Sequence, residues 1–445
     1  MKIIRITGFL ILIFFMIQSS SFSMDTIDGE DLDINYSREF LIAVRDIFIE
    51  ENGDLPIKKI KVEGISKTNR DIILKEAGVI EGDNLAAFDP HRFVNRLKKK
   101  NLFSEIKIYY TKEDDSVIIN ISLKEKMTLI PLPIFYSNGD KTMYGVYIVE
   151  SNFLGYGKIF VGGVAFSADD KSITIGYMDP SICETRLAAN IFCLYKDMVV
   201  ENCTMDKFIF NEYKVKQKIF TADIGWSFTD EIKGFVSGGY IKCDVDKGYK
   251  DSLNPPQSEN FYRYGIYLNY NSLEYYEYLF FGLKSIVRFY TYTSSKEKKD
   301  NKNNTYRVAN YEIDYSHKLF SYHKITLFSS GSNGNRPTLI EDRLGGKNGS
   351  RTLTAGIIPS DNYINYSIIY EYPLAKFKYG AIAMLLLWEQ GIYSNDDSKS
   401  NKYYGPGAGL LFYWKQIAFP AVGFNYAVNL KTDENELSAN VNYRF

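Results

Sequence analysis

Leu437-Ser438-Ala439-Asn440-Val441-Asn442-Tyr443-Arg444-Phe445 alternates apolar and polar side chains without interruption. Successive side chains of a strand point to opposite faces. Leu437, Ala439, Val441, Tyr443 and Phe445 therefore share one face, and Ser438, Asn440, Asn442 and Arg444 the other. An apolar exterior and a polar interior is what a strand of a membrane-spanning barrel requires. A surface strand of a soluble sandwich alternates in the same way, so the choice rests on the other strands. Pro420, Val422, Phe424, Tyr426, Val428 and Leu430 repeat the apolar face, with Ala421, Gly423, Asn425, Ala427 and Asn429 behind them. Ile364, Tyr366, Ile368, Tyr370 and Tyr372 repeat it again, leaving Asn365, Ser367, Ile369 and Glu371 inward. A sandwich shows this in a few strands and a barrel in most. The pattern favours the barrel.

Composition agrees. The chain has 445 residues, 36 Tyr against 3 Trp, and a formal net charge of -1. Tyrosine carries an apolar ring and a polar tip and suits an oil–water boundary. Near-zero charge argues against a nucleic-acid partner held through phosphates. Mean hydropathy is -0.22, too polar for a bundle of membrane helices. After residue 23 no apolar run approaches the ~20 residues of a spanning helix, and Ala381 to Trp388 is only strand-length. A membrane-embedded form of this chain is a closed barrel.

Residues 1–23 stand apart. Lys2 and Arg5, the apolar Phe9 to Ile17 and the small-x-small Ser21-Phe22-Ser23 read as a secretory signal peptide; the other reading is an uncleaved anchor helix. Residues 24–55 are an acidic linker. Between 56 and 127 the periodicity predicts a compact α+β unit in the order β-α-α-β-β. Ile57 to Val62 is a strand, and Thr68 opens a helix that Gly78 ends. Asp89-Pro90 starts a second helix, and two strands, Ile106 to Thr111 and Val117 to Lys124, follow. From 128 to 445 only strand signals remain. Short turns are expected at 151–156, 180–184, 229–233, 272–278, 318–322, 373–378 and 415–416, alternating with longer polar connections. Short turns on one rim and long loops on the other mark a transmembrane barrel. The count is about sixteen antiparallel strands, which puts both ends on the short-turn side. Cys193 and Cys203 flank a predicted loop and form either a disulfide or free thiols; an exported protein permits both.

No constellation of catalytic residues emerges. His91, His317 and His323 fit no nucleophile or zinc pattern, no Walker spacing follows Gly345-Gly346, and no Ser/His pair sits on a clear inward face. The reading is a non-enzyme without metal or cofactor.

Several motifs resemble a known family. The β-α-α-β-β order, Val62-Glu63-Gly64 after the first strand and Asn101-Leu102-Phe103 before the second are similar to a POTRA (polypeptide-transport-associated) domain, with Asn101 in place of the usual Gly. Asn152-Phe153-Leu154-Gly155-Tyr156-Gly157, Asp179-Pro180 and the terminal Phe445 resemble the BamA/TamA outer-membrane protein assembly superfamily, which includes bacterial surface antigens. The loop Arg343-Leu344-Gly345-Gly346-Lys347-Asn348-Gly349-Ser350-Arg351-Thr352-Leu353 resembles that family's inward-folded loop. Arg351 falls on its arginine, while Thr352 replaces a Gly and Leu353 an aromatic residue. Glu389, in Leu387-Trp388-Glu389-Gln390-Gly391, occupies the place of its acid.

A charge confined in a barrel lumen needs a partner, and guanidinium–carboxylate pairs are charge-assisted. The expectation is Arg351 paired with Glu389, with Glu371 as second acceptor; the bland alternative is a solvated loop arginine. Barrel closure pairs the first strand, Leu129 to Tyr136, with the last. Pro131 and Pro133 lack N–H groups on one edge of that first strand. If that edge faces the last strand, the seam loses about two bonds worth roughly 0.5–1.5 kcal/mol each. If it faces the second strand, the prolines mark a domain-to-barrel junction.

The resemblance implies a periplasmic N-terminal domain and one barrel per chain in the outer-membrane bilayer. It implies a seam through which unfolded client polypeptides insert, with accessory proteins of the periplasm or outer membrane as further partners. A polypeptide exporter and a passive porin are the alternatives.

Overall fold

The computed structural model describes residues 52–441, except 138–141, 205–207, 250–251, 277, 296–303, 321, 346–350, 354–357, 378, 395–399, 418–421 and 433–434. The expected signal peptide, most of the linker, Gly346, Tyr443 and Phe445 thus lie outside the described residues.

The α+β unit follows the expected order. β1 (Ile57–Glu63), α1 (Arg70–Ala77), α2 (Pro90–Lys100), β2 (Phe103–Glu113) and β3 (Ser116–Glu125) succeed one another. β3 is the middle strand, parallel to β1 and antiparallel to β2. α1 is capped by Asn69, one residue after the expected Thr68; its side chain accepts from the Asp71 amide, and Gly78 closes the helix in the left-handed region at φ 71°. Asp89 caps α2 ahead of Pro90, and Asn101 ends it at φ 55°. That explains Asn where related domains carry Gly: asparagine is the other residue that tolerates this conformation. Ile72, Ile73, Phe93, Val94 and Leu97 of the helices are buried, as are Ile60, Ile119 and Ile121 of the sheet.

The remaining strands are β4 (Leu129–Ser137), β5 (Thr142–Phe153), β6 (Lys158–Phe166), β7 (Lys171–Asp179), β8 (Leu187–Cys203), β9 (Ile209–Ser227) and β10 (Ile232–Val245). They continue with β11 (Glu259–Asn271), β12 (Glu274–Tyr276), β13 (Leu279–Ser294), β14 (Thr305–Phe320), β15 (His323–Gly334), β16 (Arg343–Leu344) and β17 (Ile358–Pro359). Last come β18 (Asn362–Phe377), β19 (Gly380–Ser394), β20 (Ser400–Trp414), β21 (Val422–Val428) and β22 (Asn435–Val441). All but β16 and β17 form one closed barrel. Three-residue β12 pairs only with β13, while β11 pairs β13 directly, so the seventeen segments amount to sixteen staves.

Alternation sets the two faces. Ile364, Tyr366, Ile368, Phe424, Tyr426 and Leu437 are exposed outward, whereas Asn365, Ser367, Ile369, Glu371, Asn425 and Ala427 are buried inside. Six of the seven expected turns fall where consecutive staves connect, on the rim that carries the α+β unit.

Two expectations are corrected. Cys193 and Cys203 do not flank a loop: both lie on the continuous β8, one exposed and one buried, and none of the four cysteines forms a disulfide with another. The expected turn at 272–278 is a small hairpin, because Gly282 adopts φ 118° and bends the chain out of the wall.

Candidate functional site

The seam is the first candidate. β4 pairs β5 over its whole length, from Leu129 opposite Glu150 to Ser137 opposite Thr142. Against β22 it has one partnered pair among the described residues, Tyr136 opposite Ser438. The orientation of the prolines follows from parity. The Ser151 amide donates to the Thr128 carbonyl at 3.0 Å, so even-numbered residues of β4 turn their backbone groups toward β5. Odd-numbered ones turn to the other edge, as the Met127 amide does in reaching the Gln416 carbonyl at 2.8 Å. Pro131 and Pro133 sit opposite Ile148 and Val146 in this unshifted register. Their missing N–H groups therefore face β22. The seam lacks two donors.

The lumen loop, 335–361, is the second. β16 and β17 form a two-rung hairpin at its base. Beyond it the Arg351 and Thr352 amides donate to Glu389 Oε1 at 2.8 and 3.1 Å, and the Thr352 hydroxyl adds a bond at 3.1 Å. Ser367 Oγ donates to the other oxygen at 3.1 Å. Loop and acid thus meet as expected, but the bonds named here come from backbone amides and hydroxyls. Leu353, at the aromatic position of the resembled loop, is fully buried with Leu344, Ile358, Tyr393 and Tyr403. The aromatic rings come from β19 and β20 instead. Gly345 lies at φ 110°, a conformation suited to glycine.

Glu371 is a correction. It does not receive Arg351: Lys324 Nζ lies 2.6 Å from one oxygen and the Tyr413 hydroxyl donates to the other at 2.6 Å. Lys324 stands directly opposite Glu371 across the β15–β18 ladder, so register makes this pair. A second buried arginine also went unremarked in the sequence. Arg336 bridges Asp342 and Asp361 at 2.6 and 2.7 Å. Leu339, from the same loop, packs with Val215, Cys243, Phe261 and Tyr292 inside the barrel. The signal for Lys324 was strand parity with Thr326; the signal for Arg336 was weaker, since it lies in a loop.

The elbow between the α+β unit and the barrel is built on the Asn152–Gly157 turn. Asn152 Nδ2 donates to Thr68 Oγ1 at 2.9 Å, and its Oδ1 accepts from the Gly157 amide at 2.7 Å. The Asn69 amide donates to the Gly155 carbonyl at 2.9 Å. Gly155 has φ 81°, and a Cβ there would lie 2.3 Å from the Lys67 carbonyl. Lys67 Nζ reaches Glu150 at 2.5 Å. Glu125 accepts from the amides of Ser66, Lys67 and Thr68. Burial raises its pKa, but the bonds from Thr68 and Ser66 outweigh that and bring the carboxyl down to about 2. Further round the rim Lys75 meets Ser181 at 2.7 Å, and Arg92 and Arg96 meet Asp230 at 2.8 and 2.9 Å.

No protein-family profile matches this sequence, and no curated protein does. Solved structures do match. BamA from Haemophilus ducreyi lacking POTRA domains 1-3 is 15% identical at a TM-score of 0.52, covering 94% of this chain and 98% of that one. CdiB from Escherichia coli is 13% identical at 0.61, covering 87% and 75%. CdiB from Acinetobacter baumannii is 13% identical at 0.58, covering 87% and 73%. The chain shares its fold with BamA and CdiB, the fold that the resemblance of its motifs implied.

Proposed function

We propose that this chain is an outer-membrane insertase that delivers unfolded barrel proteins into the bilayer through the β4–β22 seam. The carrying observation is the seam itself: one partnered pair among the described residues, and two prolines whose donorless edge faces it. An edge with free acceptors is a template on which an incoming strand can pair. In this reading residues 56–127 are a POTRA domain in the periplasm that presents the client. The chain performs no catalytic step and needs no cofactor. Free energy comes from burying the client's apolar face and completing its ladder.

The filled lumen weighs against the porin reading. Leu339 and Leu353 pack inside from the long-loop side, and Leu279 packs against Ala383, Leu387 and Leu411 from the other. The CdiB likeness keeps an exporter as the second reading; it requires both fillings to move. Reconstitution decides between them. Liposomes holding this protein should accelerate the folding of an added unfolded barrel client, read as heat-modifiable mobility on a gel. Passage of one secreted polypeptide into the liposomes without client folding would sink the insertase reading.

A further inference from the structure

The hairpin between β11 and β13 does something an ordinary turn does not. Below the pair Asn271–Lys284 the chain leaves the wall. The Ser272 amide returns to the Leu283 carbonyl at 2.9 Å, and β12 pairs with Leu279–Phe281. Gly282 makes the bend; a Cβ there would lie 2.6 Å from the Ser272 carbonyl oxygen. The bend sends apolar side chains across the barrel rather than along it. Leu279, 1% exposed, packs on Ile369, Leu385 and Leu411, which belong to β18, β19 and β20. The Tyr278 ring lies 4.9 Å from Tyr413 on β20 and stacks at 6.0 Å on Tyr322. Phe280 lies beneath the Lys324 ammonium at 4.3 Å, which is the cation already paired with Glu371.

One element of the α+β unit touches this hairpin. α2 lies against β12, and Lys99 Nζ approaches the Asn271 carbonyl at 3.5 Å. α2 is itself pinned to the neighbouring turn by Arg92 and Arg96 on Asp230.

We infer that residues 271–276 and 278–283 are a strap that seals the lumen at the domain-bearing rim, and that α2 is its latch. The apolar strap side chains exclude water from the Lys324–Glu371 pair, and α2 keeps the hairpin from swinging down. Lifting α2 therefore opens the lumen on the side where the domain sits. This concerns the lumen, so it stands or falls separately from the insertase reading, which concerns the seam.

The test reads access to a buried position. Leu387, 1% exposed in the cluster under the strap, is changed Leu387→Cys in a full-length chain whose four natural cysteines are replaced by serine. Labelling by a membrane-impermeant maleimide is then timed. It should be slow with the strap intact and at least tenfold faster in Tyr278→Ala/Leu279→Ala. Arg92→Ala/Arg96→Ala, which leaves the strap untouched, should fall between. Heat-modifiable mobility reports whether each barrel is folded. If the double strap variant is not, Tyr278→Ala alone gives the same reading with Leu279 in place. A folded strap variant that labels at the parent rate overturns the seal, and an unchanged rate in the arginine variant overturns the latch.

Discussion

The β4–β22 seam and the β8–β10 wall are built from the same alternating pattern, yet they differ in everything the pattern leaves open. Every residue of β8 from Leu187 to Cys203 has a partner on β9, the one register shift skipping Phe210 of β9, and β9 pairs with β10 without a break from Val215 to Ser227. β4 and β22 share one pair among the described residues. Outward side chains do not explain the contrast, since Leu437 beside the seam is as lipid-facing as Ile224 on β9. Backbone donors do. The α+β unit is tied on both sides, to Asn152, Gly155, Ser181, Asp230 and Asn271 on turns of the well-paired half and through the Met127 amide to the Gln416 carbonyl on the other. What distinguishes the seam is therefore its edge chemistry.

The largest expected effect lies between the two regions, on β19. Glu389 is 2% exposed and accepts four bonds, from Arg351, Thr352 and Ser367. Removing it leaves buried donors unsatisfied at about 1–3 kcal/mol each. Glu389→Ala should lower the temperature at which the barrel loses heat-modifiable mobility by far more than Arg351→Ala, which keeps the backbone amide. Equal effects of the two single variants would show that the guanidinium, rather than the loop backbone, holds the acid.

A smaller effect, and the most direct way to erase the contrast, is Pro131→Val/Pro133→Val. Two donors return to the edge facing β22, adding about 1–3 kcal/mol to the closed seam. The open form then falls roughly 5- to 100-fold in population. Client folding in liposomes should slow accordingly while the heat-modifiable transition rises. Unchanged client folding with a stabilised barrel would move the working surface away from the seam.

The split between what was readable and what was not follows from the range of each interaction. Alternation is local, so the staves, six of the seven short turns and the inward position of Glu371 could be read along the chain. Helix caps at Gly78 and Asp89-Pro90 are local too. Pairing register is not. Lys324 becomes the partner of Glu371 only because β15 and β18 align those two residues, and nothing within either strand states that alignment. The edge to which Pro131 and Pro133 turn likewise needed the Thr128–Ser151 bond. The strap was missed because a single glycine, Gly282, converts a turn into an inward hairpin, and glycine on a strand has several uses.

Weaker still is the elbow that fixes the domain to the well-paired half. Asn152→Ala removes its bonds to Thr68 and Gly157 and should cost about 1–2 kcal/mol. Asp230→Asn should cost under about 1 kcal/mol, because its arginine pairs are partly solvated. Limited trypsin digestion at the Lys126–Met127 junction should accelerate in that order. Digestion that responds more to Asp230→Asn would place the main tie on α2 instead of on the turn.

The smallest effect is a pH dependence confined to acid. Glu125, held at about 2 against an ordinary 4.5, has a depressed folded-state pKa. Its contribution to the elbow is complete above its ordinary value and is lost as the pH falls through about 2. The three amides it accepts from belong to the 66–68 segment that also meets Asn152, so protonation should loosen the same joint as Asn152→Ala. Pepsin release of the α+β unit should therefore rise as pH drops from 4.5 toward 2, while the β8–β9 wall stays closed to the protease. Glu125→Gln should flatten that rise by releasing the unit more readily throughout. A rise that survives the substitution unchanged would assign the acid sensitivity to another carboxylate, with Glu150 beside Lys67 the next to change.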